Sequence, residues 1–179
     1  MKFFVDTANL DAIREIQSLG ILDGVTTNPS LMAKEGIKGH EAVMQRYQDI
    51  CDIVDGDVSA EVIATDFDTI VKEGEALASL HDHIVVKVPM IREGLRALRY
   101  FSENDIRTNC TLIFSPAQAI LAAKAGADYV SPFIGRLDDI NEEGMSLIEQ
   151  LVDIFTTQQY DTEILAASIR SSLHIVQCA

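Results

Sequence analysis

Lys87 is the residue of this sequence with the clearest capacity for covalent chemistry. It lies in the apolar segment Ile84-Val85-Val86-Lys87-Val88, where desolvation would favour the neutral amine that attacks a carbonyl carbon. Taken alone, a lysine at this place in a strand more often extends to solvent or pairs with a carboxylate such as Glu61. The polar residues elsewhere in the chain favour the catalytic interpretation, in which Lys87 forms a Schiff base.

Two carboxylates could accompany such an amine. Glu61 lies within Ser59-Ala60-Glu61-Val62-Ile63, and because a buried carboxylate is costly unless it is paired or hydrogen-bonded, a role in a site is the favoured interpretation. Asp6 ends the segment Phe3-Phe4-Val5-Asp6 and could carry the proton of a substrate hydroxyl during cleavage of a carbon–carbon bond. An equally open alternative is that Asp6 caps the helix that follows.

Further polar side chains recur at every second position of apolar segments, and alternate residues of a strand share a face. The residues that share a face are Ser59 with Glu61, Val85 with Lys87, Asn109 with Thr111, Ser131 with Phe133, and Ser168 with Arg170. If these faces point into a barrel, their groups converge with Asp6 and Asn28 at the C-terminal rim, where barrel active sites lie. Arg136 and Arg170 could hold a phosphate there with the Ser168 hydroxyl, although surface salt bridges are the commoner role of such arginines.

The elements that must position these residues are visible as short β-branched segments alternating with amphipathic ones. The segments predicted as strands are Lys2–Asp6, Gly24–Asn28, Val58–Ile63, Ile84–Val88, Arg107–Leu112, Tyr129–Phe133 and Ile164–Ser168. Ser30 and Ser115, the latter followed by Pro116, are predicted to cap helices. Strands separated by helices predict βαβ units and a parallel sheet, either in a (β/α)8 barrel or in a doubly wound open sheet.

The length of the chain favours a single domain spanning residues 1–179. Seven predicted strands suggest an α/β, TIM-type (β/α)8 barrel without its last unit, because the usual barrel has eight strands and about 250 residues. The segment 171–179 begins another helical pattern and stops without a cap. We therefore expect a barrel that is incomplete at its C-terminus.

Composition excludes several classes of function. The formal net charge of −14 argues against binding to nucleic acid or to an anionic membrane. Cys51, Cys110 and Cys178 fit neither a disulfide framework nor a zinc site, and the first residues lack the apolar run of a signal peptide. A cytoplasmic protein that needs neither metal nor cofactor is expected, and His81-Asp82-His83 is interpreted as a solvated loop.

Ordered motifs along the whole chain resemble those of the transaldolase family, particularly its small bacterial members. The matching segments are Val5-Asp6-Thr7, Gly24-Val25-Thr26-Thr27-Asn28-Pro29-Ser30, Val86-Lys87-Val88-Pro89, Asn109-Cys110-Thr111-Leu112, Ser131-Pro132-Phe133-Ile134-Gly135-Arg136 and Ala166-Ala167-Ser168-Ile169-Arg170. The resemblance implies the barrel rather than the open sheet.

The resemblance also implies roles for individual residues. Lys87 would be the Schiff-base lysine, Asp6 the acid and base for bond cleavage, and Glu61 with Thr111 the pair that acts through a catalytic water. The residues that would bind substrate are Asn28, Asn109, Ser131, Phe133, Arg136, Ser168 and Arg170.

The implied reaction transfers a dihydroxyacetone unit from a ketose phosphate, such as fructose 6-phosphate or sedoheptulose 7-phosphate, to an aldose phosphate in the pentose phosphate pathway. One alternative is fructose-6-phosphate aldolase, which resembles this chain but typically has glutamine at the position of Glu61 and tyrosine at that of Phe133. A second is a catalytically inactive, truncated phosphosugar-binding barrel. A glycosidase using Asp6 and Glu61 is a more distant one, because the chain has no tryptophan to form a sugar platform. The expected partners are sugar phosphates and, if the C-terminus is completed, further copies of the chain.

Overall fold

The computed structural model describes all 179 residues and separates into two compact units. The first unit comprises Met1–Lys87 and the second Val88–Ala179, so that the boundary falls inside a strand. The organisation of residues 1–179 as a single domain stays a prediction.

The first unit alternates parallel strands with helices. Its elements are β1 (Phe4–Asp6), α1 (Leu10–Ser18), β2 (Gly24–Thr26), α2 (Pro29–Lys34), α3 (His40–Cys51), β3 (Asp57–Glu61), α4 (Phe67–Ala78) and most of β4 (Ile84–Pro89). The four strands pair in chain order, all parallel. Val25, Val58 and Val85 are each fully buried at the centre of this sheet, and each such side chain contributes roughly 2 kcal/mol by leaving water.

The second unit continues the same alternation. Its elements are α5 (Arg92–Glu103), β5 (Thr108–Ile113), α6 (Pro116–Lys124), β6 (Tyr129–Pro132), α7 (Ile134–Asp138), α8 (Gly144–Gln158), β7 (Glu163–Ile164) and α9 (Ser172–Cys178). β5, β6 and β7 also pair in chain order and parallel. Met90, directly after β4, donates its backbone N–H to the carbonyl of Thr111 in β5.

The strand order distinguishes between the two folds that the sequence pattern permits. A doubly wound sheet reverses direction, so that later strands add on the other side of the first. In both units every strand instead lies beside the one before it, as in a barrel of successive βα units. The prediction of an α/β fold of the TIM-type (β/α)8 class is confirmed, with seven strands in this chain.

Local details differ from expectation in two places. α2 begins two residues earlier than predicted, because Asn28 and not Ser30 is its N-cap: the Asn28 side-chain oxygen accepts the N–H of Leu31 at 3.0 Å. The predicted strand at 164–168 is confirmed only in part: β7 covers Glu163–Ile164, and Leu165 and Ala167 continue the pairing by donating their N–H groups to the carbonyls of Val130 and Pro132. The predicted cap at Ser115 is confirmed, with Pro116 at the first helical position.

None of the helices has the length and apolar composition needed to cross a lipid bilayer.

Gly94, on α5, gives a test of how closely this helix approaches the end of β4. An added Cβ would lie 2.1 Å from the carbonyl oxygen of Pro89, a backbone atom that cannot move aside cheaply. We expect Gly94→Ala to lower the free energy of unfolding by about 1–3 kcal/mol through overpacking, although alanine is the better helix former by about 1 kcal/mol. Urea unfolding of the variant and of the unsubstituted chain would measure the difference in the free energy of unfolding.

The exposed helical residue Glu149 provides the control for that experiment. Glu149→Ala should change the free energy of unfolding by less than about 0.5 kcal/mol, as surface substitutions usually do. A Gly94→Ala variant more stable than the unsubstituted protein would contradict the close approach.

Candidate active site

Lys87 lies at the centre of a buried polar cluster in the first unit. The side chain projects from β4 and the residue is only 5% exposed. Its Nζ lies 3.1 Å from Oε2 of Glu61 and donates to the carbonyl oxygen of Thr27 at 3.2 Å. The parallel register places Glu61 of β3 directly beside Lys87 of β4, which explains why the two side chains meet.

The Lys87–Glu61 ion pair is largely withdrawn from water, with side-chain exposures of 7% and 17%. An ammonium group has three N–H donors, and two of them are directed to Glu61 and Thr27. The third is available to a ligand. Because a buried ion pair brings little net stability, its presence between the end of β3 and β4 is better explained by chemistry than by folding.

Asp6 occupies the end of β1, where the parallel pairing sets it beside Thr26 of β2. The Thr26 hydroxyl donates to Oδ1 of Asp6 at 2.8 Å, and the carboxylate is exposed. The alternative role of Asp6 as a helix cap is wrong, because the side chain of Asn9 caps α1 by accepting the N–H of Ala12. The Asp6 carboxylate is thus oriented by one hydrogen bond and remains accessible to solvent.

Asn28 follows β2 and is half-buried. Its side-chain oxygen is used by the α2 cap, so that its amide NH2 is the group that could donate to a substrate. The preceding residue, Thr27, is fully buried and brings its backbone carbonyl to Lys87.

Tyr47 of α3 belongs to this cluster, although it is not among the residues predicted from the sequence. Its residue is 2% exposed, and its hydroxyl oxygen accepts the backbone N–H of Glu61 at 3.1 Å. Burial raises the pKa of the Tyr47 phenol, and the charge of Glu61 acts in the same direction, so that the hydroxyl stays protonated. The sequence shows Tyr47 at helical spacing from the core residues Ile50, Cys51 and Val54, a pattern that reveals the buried ring but not the partner of its oxygen.

The second unit holds a separate group of predicted site residues. Asn109 of β5 is fully buried, and Ser131 of β6 is 2% exposed. The Ser131 hydroxyl donates to Oδ1 of Asn109 at 2.8 Å. The hydroxyl of Thr111, a residue 1% exposed, makes no hydrogen bond to the protein. Since buried polar groups normally have partners, this hydroxyl is suited to a ligand or a water.

A bulge in β5 sets the direction of Thr111. Leu112 has the left-handed backbone angle φ of 62°, which is unfavourable for a branched side chain, and the pairing of β5 with β6 shifts register between Cys110 and Ile113. Ile113 is fully buried while Leu112 is 36% exposed. The alternation that places Asn109 and Thr111 on one face therefore ends at Thr111.

Phe133 and Arg136 lie after β6. The Phe133 ring packs edge-to-face on Phe114, with 5.9 Å between centroids, and the Arg136 guanidinium carbon lies 5.9 Å from the centre of the Phe133 ring. Arg136 is exposed, so that its guanidinium group is accessible to a ligand.

Ser168 and Arg170 do not share a strand face as predicted, because β7 ends at Ile164 and Ser168 has a φ of 62°. Arg170 instead donates to Oδ2 of Asp139 at 2.9 Å. The backbone N–H of Gly135 donates to the Ser168 carbonyl, and a Cβ at Gly135 would lie 2.2 Å from that oxygen and 2.6 Å from Arg170. Only glycine at position 135 permits this approach.

The predicted site residues are divided between the two units. The first unit contains Asp6, Asn28, Glu61 and Lys87, and the second contains Asn109, Thr111, Ser131, Phe133, Arg136, Ser168 and Arg170. The convergence of all of them on one substrate stays a prediction.

Comparison with known proteins identifies the family of this chain. Residues 3–179 match the family described as transaldolase/fructose-6-phosphate aldolase. This chain belongs to that family. The chain is 66% identical over its full length to a probable transaldolase of Cytophaga hutchinsonii, of which it covers 82%. It is 65% identical to a probable transaldolase of Phocaeicola vulgatus and 64% identical to one of Bacteroides fragilis, again covering 82% of each.

Cysteine, by contrast, takes no evident part in the site of this transaldolase-family chain. Cys110 stands between Asn109 and Thr111, but alternation directs it away from them, and its sulfur lies 3.8 Å from that of Met90. Burial raises the pKa of Cys110 to about 12 and that of Cys51 likewise to about 12. Neither thiol is therefore a ready nucleophile.

Cys178 is half-buried, whereas Cys51 and Cys110 are buried. This difference in exposure is testable by alkylation. At pH 8 a thiol with a pKa of about 12 is about one part in ten thousand thiolate, so we expect iodoacetamide to label Cys178 well before Cys51 or Cys110 in the folded chain. Raising the pH should speed the labelling of all three. Peptide mass spectrometry would follow each site, with urea-unfolded protein as the control in which all three react alike; rapid labelling of Cys110 in the folded chain would contradict its burial.

Proposed function

We propose that this chain is a cofactor-independent transaldolase that transfers a dihydroxyacetone unit through a Schiff base on Lys87. The observation that carries the proposal is the buried Lys87, whose Nζ lies 3.1 Å from the carboxylate of Glu61. The carboxylate of Asp6, which accepts a hydrogen bond from Thr26, lies on the same sheet. The membership of the family and the names of the relatives support the same reaction class. The substrates are a ketose phosphate, such as fructose 6-phosphate or sedoheptulose 7-phosphate, and an aldose phosphate.

The reaction begins at the Lys87 amine. Its ammonium form first gives a proton to Glu61, 3.1 Å away, and the neutral amine adds to the ketose carbonyl carbon. Glu61 returns the proton as the former carbonyl oxygen leaves as water, and an iminium ion remains. Asp6 then accepts the proton of the hydroxyl on the second carbon beyond the imine carbon, and the bond between the first and second of these carbons breaks. The aldose leaves as an aldehyde, and the electron pair of the broken bond forms an enamine on Lys87.

The second half of the reaction reverses these steps on a new aldehyde. The enamine carbon attacks the acceptor carbonyl, Asp6 returns the proton to the new hydroxyl, and water hydrolyses the imine. Glu61, beside Nζ of Lys87, exchanges protons with the water that leaves and later enters. We assign Thr111 to holding that water, because its hydroxyl is buried and makes no hydrogen bond to the protein.

The remaining predicted residues bind the sugar phosphates in this proposal. Asn28, Asn109 and Ser131 orient the hydroxyl groups of the dihydroxyacetone unit, and Phe133 lines the pocket. Arg136, Ser168 and Arg170 hold the phosphate, for which Arg170 exchanges its contact with Asp139. Two guanidinium groups offset the adverse net charge locally.

The setting of the reaction is part of the same proposal. Transfer between sugar phosphates places the chain in the non-oxidative pentose phosphate pathway. Three free cysteines fit the reducing cytoplasm, and the proposed partners are sugar phosphates and further copies of the chain.

Fructose-6-phosphate aldolase is the second candidate, because the family description covers both activities. The residues Glu61 and Phe133 favour transfer. A carboxylate at position 61 can take and return protons, whereas a tyrosine hydroxyl at position 133 would be placed to protonate the bound carbanion and release dihydroxyacetone. A phosphosugar-binding chain without catalysis is the remaining alternative, and an assay distinguishes all three.

The decisive experiment is to trap the imine. Incubation with fructose 6-phosphate and borohydride should add the reduced three-carbon unit to Lys87, as detected by peptide mass spectrometry, and erythrose 4-phosphate should be converted to sedoheptulose 7-phosphate. Lys87→Ala should abolish both. Lys72→Ala, on the exposed face of α4, is the matched control and should behave as the unsubstituted chain; turnover retained in folded Lys87→Ala would exclude the mechanism.

Glu61→Gln tests the preference for transfer. Glutamine keeps the size of the side chain but cannot accept a proton, so we expect the ratio of sedoheptulose 7-phosphate formed to dihydroxyacetone released to fall, by about tenfold if the proton transfer contributes at the low end of its usual range. Product chromatography measures the ratio, and Glu149→Gln is the control. An unchanged ratio would show that Glu61 acts only as the partner of Lys87.

A further inference from the structure

Tyr47 occupies an unusual place in the hydrogen bonding between β2 and β3. The N–H of Thr27 donates to the Ser59 carbonyl at 3.3 Å. In a parallel ladder the bonds alternate between the strands, so the next bond would run from the N–H of Glu61 to the carbonyl of Thr27. That bond is replaced, because the Glu61 N–H donates to the Tyr47 hydroxyl instead.

The replacement leaves the Thr27 carbonyl for another donor, and that donor is Nζ of Lys87, at 3.2 Å. The two hydrogen bonds are therefore complementary. The Tyr47 hydroxyl accepts the Glu61 N–H that would otherwise donate to the Thr27 carbonyl. That carbonyl therefore accepts a hydrogen bond from Lys87 instead. The same amide belongs to Glu61, whose carboxylate is the other partner of Lys87 at 3.1 Å.

We propose that Tyr47 is a positioning residue for Lys87: its hydroxyl ends the β2–β3 ladder one bond early, which frees the Thr27 carbonyl and holds Glu61 in place against the ammonium group. The proposal rests on the proposed Schiff-base function for its catalytic consequence. Tyr47 itself touches no reacting atom.

The position of α3 suits such a role. The neighbouring side chain Arg46 donates to the carbonyl of Ala8 at 2.6 Å, just after Asp6, so that two consecutive residues of one helix hold the chain at the ends of β1 and β3. The Tyr47 hydroxyl also lies beside the Thr27 side chain, although the Thr27 hydroxyl oxygen makes no hydrogen bond of good geometry. Because the ring is fully buried, the hydroxyl has no freedom to leave these groups for solvent.

The test uses Tyr47→Phe, which removes one oxygen and keeps the ring. Without the phenol, the Glu61 N–H is left beside the Thr27 carbonyl and competes with Lys87 for it. We expect the maximal rate of borohydride trapping of fructose 6-phosphate to fall about tenfold. We also expect the pH profile of trapping to move to lower pH, because an ammonium group with fewer acceptors gives up its proton more easily.

Ile50→Val is the matched control, since Ile50 is a fully buried residue of the same helix and its shortening disturbs packing without touching the hydroxyl. This variant should keep the trapping rate within twofold and the pH profile of the unsubstituted chain. If urea unfolding shows Tyr47→Phe to be the less stable of the two, the assays are repeated in sucrose, which favours the folded state but cannot replace the hydroxyl.

A second measurement makes the inference independent of catalysis. Formaldehyde with cyanoborohydride methylates lysines in their neutral form, and mass spectrometry reports the pH dependence for Lys87 alone. A shift to lower pH in Tyr47→Phe, but not in Ile50→Val, supports the positioning role even if the unsubstituted chain forms no adduct with fructose 6-phosphate, a result that would overturn only the proposed function. Identical Lys87 profiles in Tyr47→Phe and the unsubstituted chain would overturn the role of Tyr47.

Discussion

The burial of an ammonium group against a carboxylate is the constraint on which the rest of the site depends. Lys87 and Glu61 lie 3.1 Å apart with little exposure to water, and each would be costly without the other. Their proximity requires β3 and β4 to be parallel neighbours in one particular register. A shift of one residue would place one side chain on the opposite face of the sheet and leave both charges unpaired.

The carboxyl ends of the strands provide polar groups because the ladder stops there. Thr26, Thr27 and Glu61 all lie at the last residues of β2 and β3 or just beyond them, where the pairing between these two strands ends. One carbonyl receives Lys87, one hydroxyl holds Asp6, and one amide is taken by Tyr47. The termination of the sheet thus provides the hydrogen bonds that hold the site, while the valines deeper in the strands supply stability.

In the second unit, an irregularity within β5 rather than the end of a strand places a polar group for a ligand. In β5 the left-handed Leu112 interrupts the pairing directly after Thr111, and the strand alternation restarts with Ile113 in the core. A non-glycine residue in that conformation costs free energy of the order of 1 kcal/mol. Its position beside a buried hydroxyl with no protein partner links the strain to the placement of a polar group for a ligand.

The sequence by itself determined the order of the strands along the chain, their buried faces and most of the candidate residues, because a polar residue in an apolar strand of period two is a local signal. It also predicted the cap at Ser115, but not the equivalent Asn28-Pro29. Tertiary structure alone decided that Asn9 and not Asp6 caps α1, that Ser168 leaves the strand, that Arg170 pairs with Asp139, and that Tyr47 completes the lysine cluster. The physical reason is that the partner of a donor or acceptor depends on which distant groups the packed chain brings within about 3 Å, and no periodicity within a single segment records that distance.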